Sequence, residues 1–288
     1  MFLLLKNGYS VKRQGNIIFV CGGNSAGDMR IRFRDYCCLE RPEFEIFFPE
    51  YAIHDYFSDD VRGQFDIADF ERLIASLSHA VVVFPEAAGS YAETGYFSAV
   101  QAIADKIVLA LDIKYQAKDS FISLGPAKKI AAMTRFHGNI QSDYANPNFL
   151  DIVERIDRVE LSKNRKKLEL GKFADLDDYF IFCLIQHCFS LFSIGTMEDL
   201  LFIFDGLFQT HYSRKQVKQL TSILVGAGYL LKVGNFGHYC LNDNKGPLLN
   251  ILEGRAKEEA SIRLDIAVIL ANAEPDFISI LEEARNVA

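Results

Sequence analysis

The chain has 288 residues, of which 50% are hydrophobic and 24% charged; this is ordinary globular composition and excludes a disordered or fibrous chain. A formal net charge of -7 excludes a surface that is basic throughout, so any contact with nucleic acid is confined to a local face. At this length two cores are expected rather than one.

The leading apolar run, Phe2–Leu5, is short and is followed by charge; neither a cleaved signal nor a membrane span is expected, and the chain reads as cytoplasmic with no membrane partner. Asn16–Cys21 is a β-rich apolar run that stops at Gly22-Gly23-Asn24, and a helix is expected from Met29 to Leu39. Glu45–Phe48 repeats the strand signal, Ile67–Leu77 has helical spacing, and Ala80–Phe84 reads as a fully buried strand. After Pro85 a loop of small residues leads to a helix expected over Ala92–Asp105, and Ile107–Leu111 is the next buried strand. This alternation predicts an α/β fold, a doubly wound parallel sheet with its ligand crevice at the carboxyl ends of the strands.

The charged stretch 151–175 suits a helical linker between a domain at 1–150 and a second, mostly helical domain at 176–288. In the second domain, helices are expected over Leu176–Phe192, from Thr196 and from Ser213 to Gly226 or Gly228. A hairpin follows, Tyr229–Val233 and His238–Leu241 around Gly234-Asn235-Phe236-Gly237, where a winged helix carries its wing. A last helix is expected from about Arg255 to Ala288. The six cysteines show no metal spacing and read as buried free thiols, with Cys21 as inert packing. No metal and no cofactor are expected, since histidine ligand spacings, GxGxxG and GxxxxGK[ST] are all lacking.

The informative stretch is VVVFPEAAGSYAETGYFS, Val81–Ser98. A carboxylate at Glu93, near a helix start, can be held ionised by backbone amides and aimed at a ligand. Gly22, Gly23 and Asn24 in the first loop, with Gly89 and Ser90 in the second, offer close backbone approach and a hydroxyl. From the residues alone, Glu93 and Ser90 read equally well as a helix-start acid and its cap. Glu86 either accepts from ribose hydroxyls or caps its own loop. Arg32 lies two positions from both Arg30 and Arg34, so helical geometry turns it to a different face, where it either meets a phosphate or is solvated. Arg214, Lys215, Lys218 and Lys232 are candidates for nucleic-acid phosphates or plain solubility, as is the run Lys163, Arg165, Lys166, Lys167.

The strand followed by G-S-x-x-E-x-G resembles the nucleoside 2-deoxyribosyltransferase fold. More specifically, IIFVCGG (Ile17–Gly23), FFPE (Phe47–Glu50), Val81–Ser98 and DIKYQAKDSFISLGPAKKI (Asp112–Ile130) are similar to the deoxyribosyltransferase-like effectors encoded beside retron reverse transcriptases. The resemblance implies that Glu93 is a nucleophile toward the anomeric carbon of a ribosyl group and that Glu71, where the transferases carry Asp, helps protonate the leaving base. It favours Arg32 as a ligand contact. It also implies a toxin acting on a nucleotide such as NAD, or on a nucleoside, within an oligomer in a larger complex, restrained by a reverse transcriptase and its multicopy single-stranded DNA-RNA hybrid. Two other functions remain open: a deoxyribosyltransferase of nucleoside salvage, and a non-enzymatic nucleotide sensor that binds DNA.

Overall fold

The computed structural model describes residues 1–12, 16–57, 66–115, 119–159, 165–234, 237–273, 279–280 and 282. The chain divides into two compact units: Gln14–Pro49 with Phe65–Leu161, and Met1–Arg13 with Glu50–Gln64 and Ser162–Ala288.

In chain order, α1 (Phe2–Asn7) and β1 (Tyr9–Lys12) precede β2 (Ile17–Cys21), α2 (Met29–Glu40) and β3 (Glu45–Phe47). There follow α3 (Glu50–Phe57), α4 (Ile67–Leu77), β4 (Ala80–Val83), α5 (Ala88–Ala99), α6 (Gln101–Ala104) and β5 (Ile107–Asp112). Next come α7 (Phe121–Leu124), α8 (Pro126–Met133), β6 (Ile140–Ser142), α9 (Leu150–Arg158) and β7 (Arg165–Lys167). The rest is α10 (Asp178–Phe192), β8 (Ile194–Gly195), α11 (Met197–Phe208), α12 (Arg214–Gly226), β9 (Leu230–Val233), β10 (His238–Leu241), β11 (Leu249–Ile251) and α13 (Ala256–Ala273).

The first unit is a mixed α/β body around a five-stranded sheet of order β3-β2-β4-β5-β6, with every neighbouring pair parallel. Alternate strand residues face opposite sides, so a strand buried on both faces must be apolar throughout; β2 and β4 are buried at every position. Ile18, Val20, Ala80, Val82, Val108 and Ala110 pack with Phe33 of α2 and Ile152, Val153 and Ile156 of α9. On the other face Phe19 meets Phe97 of α5, their ring centroids 6.1 Å apart. The stretch expected as a charged linker therefore differs in part: α9 is amphipathic, and its apolar side completes the sheet's core while Arg155 bonds to the carbonyls of residues 136–138.

The second unit gathers segments that local patterning does not connect. β1 lies between β11 and β7, antiparallel to both, so the start of the chain pairs with residues 249–251 and 165–167. Tyr9 donates to Glu259 of α13 at 3.0 Å, and Arg263 binds Glu259 and Ser190. Helix starts are capped by Asp177, by Thr196 in a reciprocal pair with Asp199, and by Ser213. At the end of α12, Gly226 admits the backbone of α3; a Cβ there would sit 2.8 Å from the nitrogen of Ala52. β9 and β10 form the expected hairpin, with β8 on the other side of β10. The hairpin's Asn235 and Phe236, and most of the chain beyond Ala273, lie outside the described residues. Five of the six cysteines are buried, but Cys38 is exposed at the outer side of α2. Among the described residues no helix is long and apolar enough to cross a membrane.

Each unit buries a histidine held neutral. Burial pushes His79 down to about 4, helped by the positive charge of Arg135, and burial does the same to His187. An unfolded histidine takes its proton near 6.5, so between about pH 6.5 and 4 the unfolded chain binds more protons and stability falls as pH falls. Urea midpoints measured across this window should decline by the equivalent of about 1.4 kcal/mol per pH unit per histidine. His187→Phe should flatten the decline of the second unit; an unchanged slope would contradict its buried neutral state.

Candidate active site at the sheet's switch point

The order β3-β2-β4-β5-β6 reverses direction between β2 and β4, since the chain leaves β2 outward to β3 and returns through α4 to β4. Loops leaving two such strands diverge and open a crevice at their carboxyl ends. Cys21, the last residue of β2, pairs with Val83, the last of β4, so the loops from Gly22 and from Phe84 leave side by side.

Those two loops are tied together by Glu86. One of its carboxylate oxygens, Oε1, accepts from the backbone N–H of Gly23 at 2.9 Å and of Met29 at 3.0 Å; Oε2 accepts from Met29 at 2.9 Å. Met29 opens α2, so the carboxylate sits on the positive end of that helix. Asp28 accepts from Ser25 at 2.6 Å and closes the loop between them. In the second loop, the hydroxyl of Ser90 accepts from the N–H groups of Glu86 and Ala87 and donates to the carbonyl of Ala87. That bonding lets α5 begin at Ala88, four residues before the expected start at Ala92, and it makes Gly89 and Ser90 part of a helical turn. Glu93 consequently stands in the second turn of α5 rather than at its amino end, where the N–H groups of Glu86 and Ala87 are taken by Ser90.

Glu93 has a different partner. The Cys21 thiol donates to its carboxylate. Burial, then the negative charges of Glu93 and Glu71, push this thiol well above the ordinary range, against a smaller opposite pull from Arg30. Cys21 thus remains a protonated donor rather than a nucleophile. Glu71 on α4 and Arg30 on α2 are both buried, and the Arg30 guanidinium lies 4.7 Å from the ring centre of Phe48. Two acids, an arginine and a thiol converge where the sheet turns.

Arg32 lies on another side of α2, donating to the carbonyl of Tyr144 at 2.7 Å. The Tyr144 hydroxyl, bonded to the carbonyl of Ala110 at 2.8 Å, is pushed up by burial and then by the charges of Glu86 and Asp112. Gly22 and Gly23 bear on the crevice from the first loop, whereas Asn24 is exposed. Sequence spacing singles out Arg32 and passes over Arg30 and Cys21. The signal for both is positional: Cys21 ends the strand at the switch point, and Arg30 lies in the first turn of the helix that follows.

The basic candidates of the second unit are dispersed in their bonding. Arg214 pairs with Asp205 at 2.8 Å, Lys215 is exposed at the start of α12, Lys218 is half-buried, and Lys232 is exposed on β9. Lys163 lies outside the described residues; Arg165, Lys166 and Lys167 form the exposed edge strand β7, where Lys166 lies 5.9 Å from the ring centre of Phe180. Among the described residues no group of His, Cys, Asp and Glu could hold a metal ion.

A five-stranded parallel sheet with two acids near Cys21 at its switch point defines an α/β protein with a crevice at the carboxyl edge. The chain belongs to the STM3845 retron effector protein family, whose model matches residues 26–232. Over 112 residues it is 32% identical to the Escherichia coli protein named "Retron Ec86 putative ribosyltransferase/DNA-binding protein", covering 38% of this chain and 36% of that one. Over 238 residues it is 23% identical to the "Retron Ec73 putative ribosyltransferase/DNA-binding protein" of the same organism, covering 73% and 74%. The matched stretch thus spans about a third of the first relative and about three quarters of the second.

The fit between the loops is tight enough to test. A Cβ on Gly22 would lie 2.7 Å from Oε1 of Glu86 and 2.9 Å from Cβ of Arg30. Gly22→Ala should therefore destabilise the α/β unit by about 1–3 kcal/mol in urea denaturation. A variant as stable as wild type would mean that the loops separate freely.

Proposed function

We propose that this chain is the toxic effector of a retron anti-phage system and that its α/β unit cleaves the N-glycosidic bond of a nucleotide, NAD being favoured, with Glu93 as nucleophile. The observation that carries this reading is that the charges of Glu93, Glu71 and Arg30 all bear on the buried Cys21 thiol that ends β2 at the switch point. Family membership and the names of the two relatives support it, as does the resemblance of the motif in Val81–Ser98 to that of the nucleoside 2-deoxyribosyltransferases. Glycines 22, 23 and 89 with Asn24, Arg32, Glu86 and Ser90 would form the substrate-side shell.

In the reaction, a carboxylate oxygen of Glu93 bonds to the anomeric carbon while the carbon–nitrogen bond breaks and its electron pair leaves with the base. A neutral base takes a proton from Glu71 and leaves it ionised; nicotinamide, cationic in NAD, leaves neutral without one, and Glu71 is then ionised from the start. Water then attacks the same carbon, passes a proton to Glu71 and frees the Glu93 carboxylate. Two displacements retain the anomeric configuration, as in glycosidases with a carboxylate nucleophile. The Cys21 thiol steers the Glu93 oxygen and the charge of Arg30 offsets the crowding of carboxylates.

In the second unit, α10, α11 and α12 followed by the β9–β10 hairpin support a winged-helix reading. Arg214, Lys215, Lys218 and Lys232 would then meet phosphates of the retron's DNA-RNA hybrid, with the reverse transcriptase as the second restraining partner in an oligomeric complex.

Purified wild type should release nicotinamide from NAD, or a free base from a nucleoside, detected by chromatography and mass. Glu93→Gln should slow release by at least about 10³-fold and Glu71→Gln by about 10²-fold; equal rates in Glu93→Gln would remove the nucleophile assignment. If wild type is inert alone, toxicity in cells compared with Glu93→Gln separates an enzyme awaiting its complex from a sensor. For the second unit, Lys215→Ala with Lys218→Ala should weaken binding to a DNA-RNA hybrid and lower the salt slope by about one for each phosphate no longer neutralised. Unchanged affinity and slope would place the nucleic acid elsewhere.

A further inference from the structure

A glycine turn that feeds the amino end of a helix is the place where sheets of this kind usually receive a ligand's phosphate, because free N–H groups and the helix dipole favour an anion. In this chain that place is filled from within. The Glu86 carboxylate accepts the N–H of Gly23 in the turn and that of Met29 at the helix start, with distances of 2.9–3.0 Å. Its fit is close, since a single added carbon on Gly22 would reach Oε1 at 2.7 Å. Its backbone is fixed in turn, because the N–H groups of Glu86 and Ala87 are both taken by the Ser90 hydroxyl, itself 1% exposed.

We propose that Glu86 is a built-in anion that occupies the phosphate position at the amino end of α2, so that it positions the Gly22-Gly23 loop and excludes the substrate's own phosphate from it. This deepens the nucleotide-cleaving reading and rests on it for the substrate. A nucleotide entering the crevice meets like charge at this loop and carries its phosphate elsewhere, while its sugar is left to face Glu93. Glu86 acts through the backbone it holds, so it is a positioning and specificity residue rather than a catalytic one. Sequence spacing leaves its role open because Gly23 and Met29 are 63 and 57 residues away.

The experiment empties the position and offers it small anions. In Glu86→Ala, formate should raise the melting temperature saturably, by roughly 2–4 °C beyond a chloride control, and leave wild type unmoved; identical responses in the two proteins would overturn the proposal. Glu86→Gln fills the same space without charge, so formate should not stabilise it. Its Gly23 and Met29 amides should exchange at least tenfold faster than in wild type, and unchanged exchange would likewise overturn the proposal, which keeps the test decisive if Glu86→Ala fails to fold. In base release, Glu86→Ala should lose at least tenfold in kcat, recovered with formate, and inorganic phosphate should inhibit it at least tenfold more tightly than wild type. Equal inhibition of both would show that phosphate already reaches the loop or binds elsewhere, against exclusion by Glu86. If wild type alone releases no base, the toxicity comparison with Glu93→Gln decides the enzymatic reading, while the melting and exchange measurements still decide whether Glu86 is the occupant.

Discussion

The parallel register of β2 against β4, with Phe19 opposite Val81 and Cys21 opposite Val83, is the constraint on which the site depends. Parallel neighbours need long crossovers, and here the crossovers run to opposite sides of the pair, leaving two loops to emerge together above a sheet with apolar faces. A slip of one residue would move β2's side chains to the other face. It would also carry Cys21 away from Glu93 and part the loop of Gly23 from Glu86. The geometry of the chemistry is therefore inherited from packing, chiefly from Ile18, Val20, Val82 and Phe84 in the sheet's apolar core.

Above that frame, charge is arranged in two layers. Deepest is the group around Cys21, on which the charges of Glu93 and Glu71 act in one direction and that of Arg30 in the other. Burial strengthens each of these interactions by removing water from between the charges. Nearer the loops, Glu86 is held by the backbone amides of Gly23 and Met29, so it adds negative charge without drawing Arg32 from its place. Arg32 in turn fixes the segment of Tyr144 after β6, which extends the site's wall from β2 to the far side of the sheet.

The elements of the α/β unit are readable in sequence wherever an apolar run is bounded by glycine, proline or a cap. β2, α2, β3, α4, β4 and β5 lie within a residue or two of their expected bounds, as do α11, α12 and the hairpin. The start of α5 departs from expectation because Ala-Ala-Gly-Ser, with its glycine, is a weak helix signal; Ser90 overrides it through three hydrogen bonds that spacing alone does not announce. The apolar side of α9 is hidden among its charges. β1, β7 and β11 escape a local reading for another reason. Each is short, and their pairing joins residues up to about 240 positions apart, so nothing local in YSVK or RKK marks a strand. At the site, Glu93 is one of two even readings of its loop until a family motif is added and Glu71 is visible only through that motif, whereas Arg30 and Cys21 need the sheet order before their meeting has meaning.

The strand β1 has a consequence for the order in which the molecule is made. The sheet that holds it takes one neighbour from residues 165–167 and the other from residues 249–251, whereas the α/β unit is complete in sequence by Leu161. During synthesis the ribosome thus releases the whole of the glycine-loop crevice while β1 still waits for the partner encoded nearly ninety residues later. The crevice can be assembled on a nascent chain whose other unit is unfinished, so any control exerted through that second unit begins only once the last strand has emerged.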